Sequence, residues 1–175
     1  MPSAVTSVLL MGALMVASAF AQSYDLDGVN TMCANMELEE CSSDTMCGVY
    51  RLNENSCVKV LTIEKDFANA EMLCQIYRGD VVKVQNEEEH NKLLCMMYRL
   101  YRRRLHYWVS AVRGDDGGFS WADGSGAVTF APWRSGQPDN YNNGENCVWM
   151  NSGSWGPWND IPCSAMASVA CQMAM

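Results

Sequence analysis

The chain has 175 residues, nine cysteines, and 20 acidic against 12 basic side chains, a formal charge of −8. That length implies one domain able to bury a core of ordinary size. The acidic balance argues against a nucleic-acid binder, whose footprint is basic, and an apolar content of 49% argues against wholesale disorder.

Met1 to Ala21 carry no charged side chain, and Val8 to Val16 form an apolar core ahead of Ala19-Phe20-Ala21. This pattern is that of a secretory signal peptide spanning 1–21, with Gln22 as the new N-terminus. The apolar run is short for a membrane span, and no other segment approaches that length, so no membrane insertion is expected. The protein is then extracellular, and nine cysteines suit an oxidising compartment. Residues 22–46 hold Asp25, Asp27, Glu37, Glu39, Glu40 and Asp44 and no basic residue. They read as an acidic, loosely structured extension that Cys33 and Cys41 could staple.

From Cys47 to Met175 the texture is that of a folded domain. Gly48–Leu52 and Cys57–Leu61 form a hairpin around Asn53-Glu54-Asn55. Asp66 caps a helix to Tyr77, with Phe67, Ala70, Leu73, Cys74 and Tyr77 on one face, and Gly79 ends it. Val81-Val82 is a short strand. Asn86 opens a second helix with Glu87, Glu88 and Glu89 at its start and Arg99, Arg102, Arg103 and Arg104 at its end, as the helix dipole favours. Tyr107–Val112 is a strand, 114–126 is turn-rich, and 132–156 is mostly loop. Val148–Met150 and Val169–Cys171 are late strands. Two helices followed by a strand- and loop-rich half make an α+β domain.

The sequence lacks the common catalytic signatures. His90 and His106 have no HExxH spacing, and no C-x-x-C, G-x-S-x-G, Walker loop or GxGxxG occurs. A Cys–His pair is left open by spacing, but exported cysteines are mostly bonded, so the protein is not expected to be an enzyme. The informative region is Gln137-Pro138-Asp139, Glu145-Asn146-Cys147 and Trp158-Asn159-Asp160, then Cys163. Gln137, Asp139, Glu145, Asn159 and Asp160 are all hard oxygen donors, the set that Ca²⁺ takes in groups of six to eight. A Cys147–Cys163 bond would fold Glu145 back beside Asn159 and Asp160. The competing reading is solvated turn residues, since Asn, Asp and Gly populate loops anyway.

These motifs, with Cys47-Gly48-Val49-Tyr50, Cys57-Val58-Lys59-Val60, Ala70-Glu71-Met72-Leu73-Cys74, Tyr107-Trp108-Val109-Ser110-Ala111, Phe119-Ser120-Trp121-Ala122-Asp123-Gly124 and Cys171, resemble a C-type lectin domain from Cys47 to Cys171. The flavour is that of small secreted single-domain fish lectins and the similar type II antifreeze proteins. The resemblance implies a C-type lectin-like fold of two helices, short antiparallel sheets and a long calcium-binding loop region. It implies disulfides Cys47–Cys57, Cys74–Cys171 and Cys147–Cys163, a cis Pro138, and one calcium held by the five donors and the Asp160 carbonyl. One calcium is expected because Asn140 and Asn146 stand where members with an auxiliary ion carry Asp. In this family two adjacent sugar hydroxyls complete the calcium shell, and the ligand side chains hydrogen-bond them.

Gln-Pro-Asp resembles galactose-type members, so galactose-containing glycans are the implied partner and a role in innate immune or surface recognition the implied context. Tyr141 and Trp155 are candidates for the ring against the sugar's apolar face; an exposed loop aromatic is the alternative for Tyr141. The segment Ser152 to Pro157 is longer than the compact family pattern. Two rival readings are an ice-binding antifreeze-like protein and a calcium-independent interaction module. Antifreeze relatives tend to carry five bridges, more than nine cysteines allow within one chain.

Cys95 has three readings, a buried thiol, a bond to Cys33 or Cys41, or a link between chains in a homo-oligomer; the simplest pairing is Cys33–Cys41 with Cys95 left over. The arginines at 99 and 102–104 read as a solvated helix end or an anionic-surface patch. The 13 methionines read as core filler.

Overall fold

A computed structural model describes residues 24–41 and 48–175. The expected signal peptide, residues 22–23 and 42–46 of the expected extension, and Cys47 lie outside the described residues. In chain order the elements are α1 (Leu26–Ala34), β1 (Val49–Asn53), β2 (Ser56–Lys65), α2 (Phe67–Ile76), β3 (Asp80–Val81), α3 (Glu87–Tyr101), β4 (Tyr107–Arg113), β5 (Phe119–Trp121), β6 (Cys147–Met150), β7 (Trp158–Ile161) and β8 (Ala167–Ala174). None of the described helices is long and apolar enough to cross a membrane.

The helix starts follow the sequence signals. The Asp66 carboxylate accepts the Asn69 N–H at 2.8 Å, and the Asn86 side chain accepts the Glu89 N–H at 2.9 Å. Gly79 closes α2 through an N–H to the Cys74 carbonyl at 3.1 Å. A Cβ there would fall 2.2 Å from the Gln172 carbonyl oxygen, so only glycine lets this turn lie against β8. The second helix stops at Tyr101, where Arg102 turns left-handed with φ 52°, so the expected run to Arg104 is shortened by one turn.

The strands run in the order β1-β2-β8-β4-β6-β7, with β3 paired to β8 and β5 to β4. All pairings are antiparallel except β4 with β8, which meet at Tyr107 and Ser168. β8 therefore joins the hairpin half to the half that carries the long loops. The core between α3 and these strands holds Leu93, Leu94, Met96, Met97, Tyr107, Val109, Val148, Met150 and Trp158. Trp108, on the opposite face of β4, packs edge-on to Phe67 of α2, and its indole N–H reaches the Lys65 carbonyl at 2.7 Å. Alternation along one strand thus feeds two apolar clusters.

The segment read as a loose extension contains α1, a third helix. Val29 and Cys33 are its buried residues, both part of the main core, with Met32 packed against it, and specific bonds fix the helix as well. Cys33 is bridged to Cys95 on α3, the Tyr98 hydroxyl donates to the Asn30 side chain at 3.0 Å, and Arg99 donates to the Cys33 and Met36 carbonyls.

The bridges correct two expected pairings. Cys74–Cys171 and Cys147–Cys163 are present. Cys57, expected to bond Cys47, bonds Cys41, and Cys33 bonds Cys95 rather than Cys41. The cause is an edge pairing. The Cys41 N–H donates to the Val49 carbonyl and the Arg51 N–H to the Glu39 carbonyl, each at 2.8 Å, which lays Cys41 along β1, opposite whose Arg51 lies Cys57.

Candidate calcium site

The long loops between β5 and β8 bring three carboxylates together. Asp139, Glu145 and Asp160 each offer an oxygen within 4.8 Å of the others. Asp160 sits on β7 paired with Val148 of β6, and the Cys147–Cys163 bridge ties the two strands at their ends. The Gln137–Pro138 bond is cis. Beyond it Asn140, Asn142 and Asn143 take φ of 46°, 55° and 54°, a left-handed run that asparagine tolerates better than other non-glycine residues.

That run turns backbone donors inward. The Asp139 and Asn140 N–H groups reach the two oxygens of Asp160 at 3.2 and 2.8 Å, and the Tyr141 N–H reaches Glu145 at 3.0 Å. The Asn140 side chain accepts the Glu145 N–H at 3.1 Å. Gln137 lies beside them, its side-chain oxygen accepting the Asp139 N–H at 3.1 Å. The cluster is largely withdrawn from water, with Asp160 0% and Glu145 8% exposed, while Asp139 is exposed. Burial first, and then the neighbouring charges of Asp160 and Asp139, push the Glu145 carboxyl above its ordinary value against the Tyr141 N–H, which pulls it down.

Two details bear on whether a cation fits. The donors gathered here are oxygens, the ligand type of hard cations, with no imidazole or thiolate among the clustered groups. Asn159, 8% exposed, keeps its side-chain oxygen buried with no hydrogen-bond partner while its NH₂ donates to the Asp160 carbonyl at 2.6 Å. A buried orphan acceptor is costly, and a cation beside Asp160 would satisfy it. The residues present therefore fit a calcium ion.

The aromatic candidates separate. Tyr141 is 68% exposed on a 3₁₀ turn between Asp139 and Glu145. Trp155, expected as a second sugar contact, is 5% exposed and is a core residue. It stacks edge-on against Tyr98 at 5.5 Å and exchanges backbone hydrogen bonds with Tyr24, so its ring is closed to solution. Trp158 is also buried, against Phe130 and Trp133. The arginines at and beyond the end of α3 are largely engaged: Arg99 in its last turn holds α1, Arg102 stacks on Tyr98, and Arg104 donates to the Gly153 carbonyl.

One charged group at the site has no local signal in the sequence. Arg113, at the end of β4, donates to Asp160. It stands 47 positions away along the chain, a lone arginine at a strand end.

The chain is similar to known proteins. A family model described as the lectin C-type domain matches residues 63–173. The chain is 31% identical over 140 residues to the C-type isolectin Sp-CL4 of Scorpaena plumieri, covering 79% of this chain and 92% of that protein. It is 34% identical over 134 residues to the alpha-N-acetylgalactosamine-specific lectin of Patiria pectinifera, covering 72% and 79%. The crystal structure of the C-type lectin CEL-I from Cucumaria echinata superimposes with a TM-score of 0.66 at 25% identity, over 74% of this chain and 97% of that one.

Proposed function

This chain belongs to the C-type lectin domain family, and from that premise we propose that it is a secreted, calcium-dependent lectin for galactose-type glycans, serving innate immune or surface recognition. The observation that carries the reading is the trio of exposed Asp139 and buried Glu145 and Asp160, together with the unpartnered side-chain oxygen of Asn159, the residue before Asp160. Gln137, Asp139, Glu145, Asn159 and Asp160 would hold the ion, which supplies open coordination positions for two sugar hydroxyls.

The chain's own residues do the rest. The loop N–H groups fix the Asp160 and Glu145 carboxylates before any ligand arrives, so little ordering remains to be done on binding. Gln137 and Asp139 present an amide and a carboxylate on the two sides of Pro138, one able to donate to a hydroxyl and the other only to accept. Tyr141 offers an exposed ring face for the apolar side of a galactose. A relative whose name specifies alpha-N-acetylgalactosamine is consistent with this choice of sugar.

A single-sugar contact is weak, and multivalency would raise its avidity. Eight of the nine cysteines are bridged within the chain. Cys47 is the one left to join two copies, which a non-reducing gel would reveal as a dimer.

The test is retention on immobilised galactose in calcium and release by EDTA, repeated with Asp160→Ala. Retention that EDTA abolishes and Asp160→Ala lacks is the expected result. Absence of binding to any glycan at saturating calcium refutes the lectin reading. Glycan binding indifferent to EDTA leaves a lectin without the calcium mechanism.

A further inference from the structure

Arg113 belongs to the carboxylate cluster as its fourth charged side chain. Its Nη2 donates to Asp160 Oδ2. Its Nε donates to the Glu145 carbonyl at 3.0 Å and its Nη1 to the Gly117 carbonyl at 3.1 Å. The guanidinium carbon lies 4.5 Å from the Phe119 ring centroid. The backbone is fixed as well, the Arg113 N–H donating to the Asn146 carbonyl at 2.9 Å. One planar fork therefore ties the turn at Gly117, the loop at Glu145 and strand β7, a geometry that a lysine's point charge cannot reproduce.

The charges explain why an arginine is useful here. As ligands of a cation, the three carboxylates of Asp139, Glu145 and Asp160 would present three negative charges. Arg113 reduces the net to two, equal and opposite to a divalent cation. Asp160 is wholly buried, and without Arg113 its carboxylate would keep only the Asp139 and Asn140 N–H donors and no countercharge. A buried carboxylate stripped of its cationic partner is strongly destabilising. The same positive charge repels an incoming cation.

We propose that Arg113 is a positioning residue and built-in countercharge of the calcium site, holding Asp160 and the Glu145 backbone in the metal-free protein and setting calcium affinity below that of the bare carboxylates. This rests on the calcium reading above. Arg113 touches the cluster through one side-chain oxygen of Asp160 and through backbone carbonyls, leaving Asp139 and the Asn159 oxygen unengaged by it. A cation could therefore join the site without displacing it.

The experiment compares wild type, Arg113→Gln and Arg113→Lys by calcium titration calorimetry and by thermal unfolding in EDTA and in calcium. Arg113→Gln is expected to bind calcium on the order of ten-fold tighter, the effect of one unit charge on a divalent ion a few ångströms away in a water-like dielectric. It is also expected to melt lower in EDTA and to gain more from calcium than wild type does. Arg113→Lys keeps the charge and should stay within about two-fold of the wild-type calcium affinity, although it loses the fork. If Arg113→Gln does not fold, Arg113→Lys decides alone: near-wild-type calcium affinity with a lower melting point in EDTA upholds the proposal, and a changed affinity or an unchanged melting point overturns it. Equal or weaker calcium binding by a folded Arg113→Gln makes Arg113 a structural strut and overturns this inference while leaving the lectin reading intact. A wild-type protein that binds no calcium overturns both.

Discussion

At the Tyr107 end of β4 the neighbours are Leu93, Met97, Met150 and Trp158, all buried and apolar; at the Arg113 end they are Asp160, the Glu145 carbonyl and a turn of exposed glycines and aspartates. The first region is held by apolar burial, which is non-directional and little affected by salt. The second is held by charge and by backbone hydrogen bonds, whose strength depends on protonation, ionic strength and a bound cation. One strand thus couples a scaffold held by apolar burial to a site held by charge, whose strength depends on a bound cation.

The largest effect that would break this contrast lies in the scaffold. Cys33–Cys95 closes a span of 62 residues, and the chain-entropy account gives such a bridge about 4 kcal/mol. Replacing both cysteines by serine should lower the unfolding free energy by that order in EDTA and in calcium alike, as read by urea denaturation. A loss confined to EDTA would show that α1 serves the calcium loops rather than the core.

His90 gives the next effect. It lies in the apolar region against Phe130 and Trp158, its Nδ1 without a partner, and burial holds its pKa down to about 4. The unfolded chain takes up a proton near pH 6.5 and the folded one does not until about pH 4. Stability from this group is therefore complete above pH 6.5 and is lost as pH falls between the two values, by about 3 kcal/mol in all. Urea unfolding should show a steeper acid-side loss in wild type than in His90→Leu, which keeps the contribution of His106, whose pKa burial also lowers. Equal slopes would show that His90 is not the source of the acid sensitivity. Glu145 opposes the trend, since its raised pKa lets the folded state bind a proton earlier than the unfolded one.

The smallest effect sharpens the other side. Tyr141→Ala removes an exposed ring and should change stability by no more than about 0.5 kcal/mol. Galactose affinity should fall about five-fold, near 1 kcal/mol, as measured by titration in calcium. An unchanged affinity would leave Tyr141 an ordinary exposed loop residue.

Local chemistry was readable where one short segment decides the outcome. Asp66 and Asn86 cap their helices, the hairpin forms where Asn53 to Asn55 turn, and the donors near Pro138, Glu145 and Asp160 stand together in space. What was not readable depends on partners distant in the chain. α1 is only nine residues long, and the bonds that hold it come from Cys95, Tyr98 and Arg99 on another helix. Trp155 looked like a loop aromatic until its loop folded back on Tyr24 and Tyr98.

By itself the sequence determined the α+β class, the family and the residue types of the candidate site, because caps, turns and oxygen donors act over a few residues. The tertiary structure alone decided that Cys41 rather than Cys47 meets Cys57, and that Arg113 stands against Asp160. Both follow from strand register and edge pairing, which bring together side chains that no local pattern relates.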